Sequence, residues 1–247
     1  MPKVVVIGDT CTDVFIYGEC KRLSPEAPVP VFNPIETTEN PGMAGNVVAN
    51  LKAISPELQI SFYHSAEKIT KTRYVDRKTN HLFIRVDDEP KVNRIFLTPA
   101  ITAELKEADA VIVSDYNKGF LTEEDILIIG ETSKFCVLDT KQKLKTTTLY
   151  KYDFVKVNES EYKDNFKSLG FMNSKVIVTL GANGARHNDV VYHSPSPKET
   201  IDVSGAGDTF LAAFIINYLE TKDITQAIPY ANQLSSIVVS RKGVVTP

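Results

Sequence analysis

The sequence predicts an α/β protein, a mostly parallel sheet covered by helices, with a small second sheet attached. Three observations predict it. Short β-branched apolar runs recur along the 247 residues, and each ends in a polar residue or a glycine. Segments with helical spacing of apolar residues lie between them. Strands of a different texture, proline-bearing or alternating in polarity, interrupt this pattern near residue 30 and again before residue 90. Alternation of the first two kinds marks a parallel sheet whose crossovers are helical.

Taken in order, residues 4–7 form a continuous β-branched run before Gly8 and Asp9 and read as a buried strand feeding a turn. Val47, Val48, Leu51 and Ile54 share one helical face after Asn46. Further strands are expected at 110–113 before Ser114 and Asp115, at 135–138 before Asp139, at 154–157 before Asn158 and at 175–180 before Gly181. A helix beginning near Thr122 carries Glu123 and Glu124 in its first turn, where carboxylates suit the positive end of the helix dipole. Ligands of parallel sheets bind beyond the carboxyl ends of the strands, so these polar endings line up as a candidate site. Each one alone is equally an ordinary cap or turn residue. Val14, Ile16, residues 28–32 and residues 81–87 belong to the small sheet, since Pro28 and Pro30 are tolerated only at sheet edges and bulges. No repeat, low-complexity tract or linker divides the chain, which is expected to form one main domain over residues 1–247.

Composition excludes several classes. With 43% hydrophobic, 24% charged and 9% aromatic residues the chain has enough apolar material for a packed core. Its longest charge-free apolar runs, such as 210–216, fall far short of the ~20 residues of a membrane span. The apolar stretch after Met1 is too short for a signal peptide. A net charge of −3 and a pI of 5.9 provide no basic field for nucleic acid. Cys11, Cys20 and Cys136 form no C-x-x-C pair, and His64, His81, His187 and His193 have no metal-binding spacing. A cytoplasmic protein with reduced thiols is expected, with neither nucleic acid nor membrane as partner.

The strongest chemical signal is Asp202 followed by Ser204, Gly205, Ala206, Gly207 and Asp208, which runs into the apolar positions Leu211, Phe214 and Tyr218 of a helix. Glycines opening a helix expose backbone N–H groups at the positive end of its dipole and so make an anion hole. Asp208 would repel a phosphate if anion binding were the only task. It has a purpose if it takes a proton from a hydroxyl while the amides stabilise a transferring phosphoryl group. From the motif alone, Asp208 is also readable as a plain helix cap.

This motif resembles the C-terminal signature of the ribokinase, or PfkB-type, sugar kinases. The likeness extends along most of the chain. Gly8, Asp9 and Asp13 are similar to that family's N-terminal sugar-binding strand, and Gly42, Gly45 and Asn46 to its glycine-rich sugar loop. Asn158 and Glu161 match its N-x-x-E motif, and Thr179, Gly181 and Gly184 its nucleotide-binding strand and turn. Residues 22–31, with Thr70 to Arg73, Ser114 to Gly119 and Asp139 to Lys141, look like the bacterial heptose-phosphate kinases within the family.

The resemblance implies a three-layer ribokinase-like sandwich with a β-lid near residues 14–33 and 72–88, which covers the sugar and can pair two subunits as a homodimer. It implies ATP- and Mg²⁺-dependent phosphorylation of the C1 hydroxyl of D-glycero-β-D-manno-heptose 7-phosphate, a step toward ADP-heptose and lipopolysaccharide. Asp208 would be the base, with Gly205, Ala206 and Gly207 as the anion hole. Asp13, Gly42, Asn46, Arg73, Asp115 and Lys118 would face the sugar phosphate. Lys141, Asn158, Glu161, Thr179, Gly181, Gly184 and Asn232 would face the nucleotide, with Asn158 and Glu161 holding Mg²⁺ through water. Gly181 to Gly184 is also a plain hairpin signal.

Three departures from that family stand out. Between Phe62 and Thr70 the chain lacks a strand–helix unit, which is expected to leave apolar surface at a sheet edge. Met43 stands where a second glycine is usual. The 247-residue sequence ends soon after the nucleotide-side helix, and the nucleotidyltransferase domain that some heptose kinases carry in the same chain is not expected within it. These departures keep open a kinase for another sugar or sugar phosphate, and a kinase-derived binding protein without turnover.

Overall fold

The computed structural model describes residues 1–195 and 201–247. The chain opens with β1 (Lys3–Gly8), β2 (Thr10–Leu23) and β3 (Pro30–Met43), then α1 (Ala44–Ile54) and β4 (Gln59–His64). Next come β5 (Ile69–Asp76), β6 (Leu82–Asp88), α2 (Pro99–Glu107), β7 (Ala110–Asp115) and α3 (Glu123–Thr132). The second half holds β8 (Cys136–Thr140), α4 (Thr146–Leu149), β9 (Phe154–Asn158), α5 (Glu159–Asp164), α6 (Phe166–Leu169) and β10 (Val176–Thr179). A 3₁₀ turn leads to the hairpin β11 (Ala185–His187) and β12 (Val190–Tyr192), and α7 (Ala206–Thr221) and α8 (Ile224–Val238) follow.

Eight strands form the main sheet in the order β12-β11-β10-β9-β8-β7-β1-β4. All pairs from β10 to β4 are parallel, and β11 runs antiparallel to both of its neighbours, β10 and β12. Both faces are covered, which explains why the strands read as unbroken apolar runs. On one face Val5, Ile7, Val111, Val113 and Leu138 join the core with Ile126 and Ile129 of α3. On the other, Val4, Val6, Ile112 and Val137 share a core with Val47 and Leu51 of α1 and Phe210 and Phe214 of α7. The strands read from the sequence at 4–7, 110–113, 135–138, 154–157 and 175–180 are β1, β7, β8, β9 and β10. Thr122 caps α3 in a full capping box with Asp125.

The small sheet has the order β3-β2-β5-β6. Its strands β2 and β3 are 14 residues long, far beyond what the proline pattern suggested. Pro30, Pro34 and Pro41 all lie on β3, an edge strand where a missing N–H costs no ladder bond. Two junctions tie the sheets together. β1 passes into β2 across the single residue Asp9, and β3 runs straight into α1 after Met43.

The expected apolar exposure at the shortened edge is corrected by the structure. β4 is the outermost strand, but its side chains are fastened rather than bared. Ser61 donates to Glu104 of α2 at 2.5 Å, Tyr63 donates to the same carboxylate, and Lys3 lies 3.0 Å from it. The Ser61 and Tyr63 hydroxyls hold the Glu104 carboxyl down at about 2. Phe62 and His64 pack ring against ring at 4.5 Å. Exposed large apolar side chains gather instead on the small sheet, where Leu82, Ile84 and Val86 alternate along β6.

Candidate active site

The polar strand ends meet the N-terminus of α7 at two adjoining cavities. The larger, of about 500 Å³, is lined by Lys141, Lys156, Asn158, Thr179, Gly181, Gly184, Asn232 and the turn from Gly205 to Asp208. The smaller, of about 150 Å³, is lined by Cys11, Asp13, Met43, Asn46, Lys71, Arg73 and Ser204. Gly205, Asp208 and Tyr116 border both. A further cavity of about 160 Å³ shares Arg73 and Ser204 with the smaller one and extends it along the small sheet.

Gly205 enters α7 with φ of +77°, and a Cβ there would meet Asn46 Nδ2 at 2.6 Å, so only glycine fits. That close approach lets Asn46 Nδ2 donate to Asp208 Oδ2 at 2.9 Å. Tyr116 donates its hydroxyl to Asp208 Oδ1 at 2.8 Å. Asp208 is 5% exposed, and burial pushes its carboxyl up to about 6, against the pull of the Asn46 bond and the Lys156 charge. A carboxylate raised this far remains ionised at neutral pH and is a stronger base than an exposed one.

Beside the Gly205–Asp208 turn lie two lysines. Lys156 is 5% exposed and donates to Asp139 Oδ2 at 2.5 Å; a Cβ on Gly207 would lie 3.0 Å from its Nζ. Lys141 sits 3.6 Å from Asp139 Oδ1 and also bonds Glu161. Burial opposes charge on Asp139, but Lys156 and Lys141 outweigh it and hold the carboxyl below its usual range. Asn158 and Glu161 cap α5 reciprocally: Glu161 N–H donates to Asn158 Oδ1 and Asn158 N–H to Glu161 Oε2, each at 2.8 Å. These are hard oxygen donors beside the larger cavity and fit a magnesium ion carried in on phosphates. Among the described residues no three acidic, cysteine or histidine side chains form a metal cluster.

In the smaller cavity Arg73 bonds Asp13 at 2.5 Å and lies over the Phe15 ring. Lys71 has no ion-pair partner among the described residues and sits 5.9 Å from the Tyr116 ring centre. Met43 is buried with φ of +56°, a backbone conformation that favours glycine.

Of the residues singled out in the sequence, four line neither cavity. Gly42 lies behind Asp13, where a Cβ would come within 2.1 Å of its Oδ2. Asp115 is fully buried and accepts from Thr140 Oγ1 at 2.5 Å and from Asn117 N–H at 3.1 Å, so it shapes the loop rather than facing a sugar. Lys118 is paired with Glu89 at 2.7 Å. Glu161 stands at the rim with Lys141. Three of the lining residues that the sequence did not single out bear on the chemistry of the site. Lys156 falls inside a run that otherwise reads as buried strand, and its period-two relation to Asn158 was the available signal. Lys71 is likewise two residues before Arg73. Tyr116 sits between Asp115 and Lys118 and carried no signal of its own.

Comparison with known proteins agrees with this geometry. The pfkB family carbohydrate kinase domain matches residues 57–247. The bifunctional protein HldE of Helicobacter pylori strain J99 is 30% identical over 297 aligned positions, covering 98% of this chain. The chain spans 64% of that relative's length. Because the 297 positions exceed the 247 residues available, the relative carries segments this chain lacks. Ribokinase from Thermotoga maritima superimposes with a TM-score of 0.74 at 19% identity, covering 99% of this chain and 95% of its own. An Arabidopsis thaliana ribokinase complexed with ribose and ATP gives 0.70 at 14% identity, covering 98% and 94%. Both likenesses are of fold.

Proposed function

The chain belongs to the pfkB family of carbohydrate kinases, and we propose that it transfers the γ-phosphoryl group of ATP to a hydroxyl of a phosphorylated sugar, with a heptose 7-phosphate as the leading acceptor. The observation that carries this reading is the Asp208 carboxylate, buried at the helix N-terminus where the two cavities meet. The larger cavity has the volume of a nucleotide site, and the ATP complex of the Arabidopsis ribokinase supports the same occupant. Lys71 and Arg73 in the smaller cavity support an anionic acceptor. The extension past Arg73 and Ser204 supports an acceptor longer than a hexose, as does the similarity to HldE.

In this reading the acceptor hydroxyl gives its proton to Asp208 as its oxygen bonds the γ-phosphorus, and the bond from that phosphorus to the ADP oxygen breaks. The amides of Gly205, Ala206 and Gly207 and the Lys156 ammonium meet the charge on the transferring group. Lys141 faces the nucleotide phosphates. Magnesium, when bound, would neutralise phosphate charge and be held by Asn158 and Glu161 through water. A second copy of the chain is the partner we propose for the small sheet, supported by the exposed stripe Leu82, Ile84 and Val86.

Met43, which narrows the smaller cavity, favours one alternative, a different and smaller sugar phosphate. The test is ADP release with Mg-ATP and a panel of sugar phosphates, with Asp208→Asn beside the wild type. Heptose 7-phosphate should give the highest kcat/KM, and the variant should lose at least ~10²-fold in turnover. A stronger response to a hexose or pentose phosphate would move the substrate to the alternative. Full activity in the variant would remove Asp208 as the base.

A further inference from the structure

The two groups that hold Asp208 are themselves held very differently. Asn46 is locked in a network: its Oδ1 accepts from Asn50 Nδ2 at 3.0 Å, and Asn50 Oδ1 accepts from Thr209 Oγ1 at 2.9 Å. All three side chains are buried between α1 and α7. Tyr116 has no such network: Asp9 Oδ2 accepts its backbone N–H at 2.8 Å and the Lys118 N–H at 3.2 Å, and its ring packs against the core without a polar lock. Its hydroxyl has the single bond to Asp208 Oδ1. The ring stands between the cavities, bordering both, with Lys71 and Lys141 at 5.9 and 5.4 Å from its centre. Burial and the Asp208 charge raise the phenol well above its ordinary value, so it remains a donor at neutral pH.

An acceptor hydroxyl entering the smaller cavity must give its proton to this same carboxylate. Oδ2 is committed to a rigid amide. Oδ1 carries a hydroxyl donor of the kind the acceptor brings, on a half-buried ring that borders both cavities. We propose that the Tyr116 hydroxyl keeps the acceptor's place on Asp208, and that the ring yields it when the acceptor arrives; the inference rests on the kinase reading above. Its consequence is protection of the nucleotide. Without a placeholder, a water at Oδ1 would give its proton to Asp208, its oxygen would bond the γ-phosphorus and the bond to ADP would break, which is hydrolysis. With Tyr116 in place that water must compete with the phenol for Oδ1. Tyr116 is then a positioning residue that trades acceptor affinity for economy of ATP.

The experiment compares wild type, Tyr116→Phe and Asp208→Asn for ADP release with and without sugar phosphates. Removing a hydrogen bond to a charged group is worth roughly a tenfold effect. Acceptor-free ADP release should therefore rise about tenfold in Tyr116→Phe, and the acceptor KM should fall by a similar factor. The kcat for transfer should change much less, and Asp208→Asn should reduce both reactions to background. Tyr116→Leu, which also removes the ring, should raise acceptor-free release at least as much. Acceptor-free release at or below the wild-type level in both Tyr116 variants overturns the proposal. So does a fall in kcat at constant KM, the mark of a tyrosine that only supports the carboxylate. Absence of transfer to every sugar in the wild type would sink the kinase reading instead; the acceptor-free comparison, needing only nucleotide and water, still decides Tyr116.

Discussion

Asp208 shows how a single side chain sets function against stability. Its carboxyl, raised from 3.8 to about 6 by burial, binds a proton more readily folded than unfolded. The ionised form is therefore a burden on the fold, on the order of 2–3 kcal/mol above pH 6. The burden shrinks as pH falls through about 6 and is gone below the unfolded value near 4. Asparagine at 208 can still accept from Asn46 and donate to the Tyr116 oxygen. Asp208→Asn should thus melt several degrees higher than wild type at pH 7.5, with the gap closing near pH 4; thermal scans at the two pH values check this. Met43 makes the opposite kind of compromise, a bulky residue in a glycine conformation. Truncation normally costs more the further it goes. Here Met43→Gly should be more stable than Met43→Ala by about 1 kcal/mol, because only glycine relieves the backbone. Urea titration of the pair decides it, and alanine as the more stable variant would show that no strain is stored there.

At the scale of elements, the two sheet edges have been treated differently. β4 is blunted by the Glu104 knot, whereas β6 presents Leu82, Ile84 and Val86 at 47, 55 and 48% exposure. An edge strand with such a stripe is a pairing site unless something covers it. If a second copy does, Ile84→Glu should convert a dimer into a monomer by light scattering without lowering the melting temperature of the protomer. A monomeric wild type would remove that role. The difference between the edges was not legible in the sequence. The strands of the main sheet announced themselves through unbroken apolar runs, and α3 and α7 through their caps and glycines. β4 has no apolar run, only Ile60 and Phe62 on the core face between the polar Ser61 and Tyr63 turned to Glu104. α2 begins at Thr98 and Pro99, a start signal that was legible but short of apolar residues behind it. In α8, Pro229 sits inside the helix, where local propensity argues against the conformation that packing against α7 enforces.

At the scale of the whole molecule, the site was legible where chemistry is written in local motifs and illegible where it depends on distant contacts. Asp208, Gly205 and Asn158, which line the larger cavity, are marked by their spacing. Lys156 and Tyr116 become visible only once β9 lies beside β8 and the 115–119 loop is folded back on Asp9. Asp115 misled for the same reason: its neighbour Thr140, 25 residues away, claims the carboxylate that looked free.

The junctions between the sheets have one more consequence. Asp9, the sole residue between β1 and β2, grips the backbone of Tyr116. Met43, the last residue of β3, lies three positions from Asn46. The two groups that clasp Asp208 are thus each mounted next to a different fulcrum of the small sheet. Any tilt of that sheet becomes a mechanical load delivered to Asp208 from two sides. The small sheet is thereby a lever as well as a wall, and its angle is a setting of the Asp208 carboxylate.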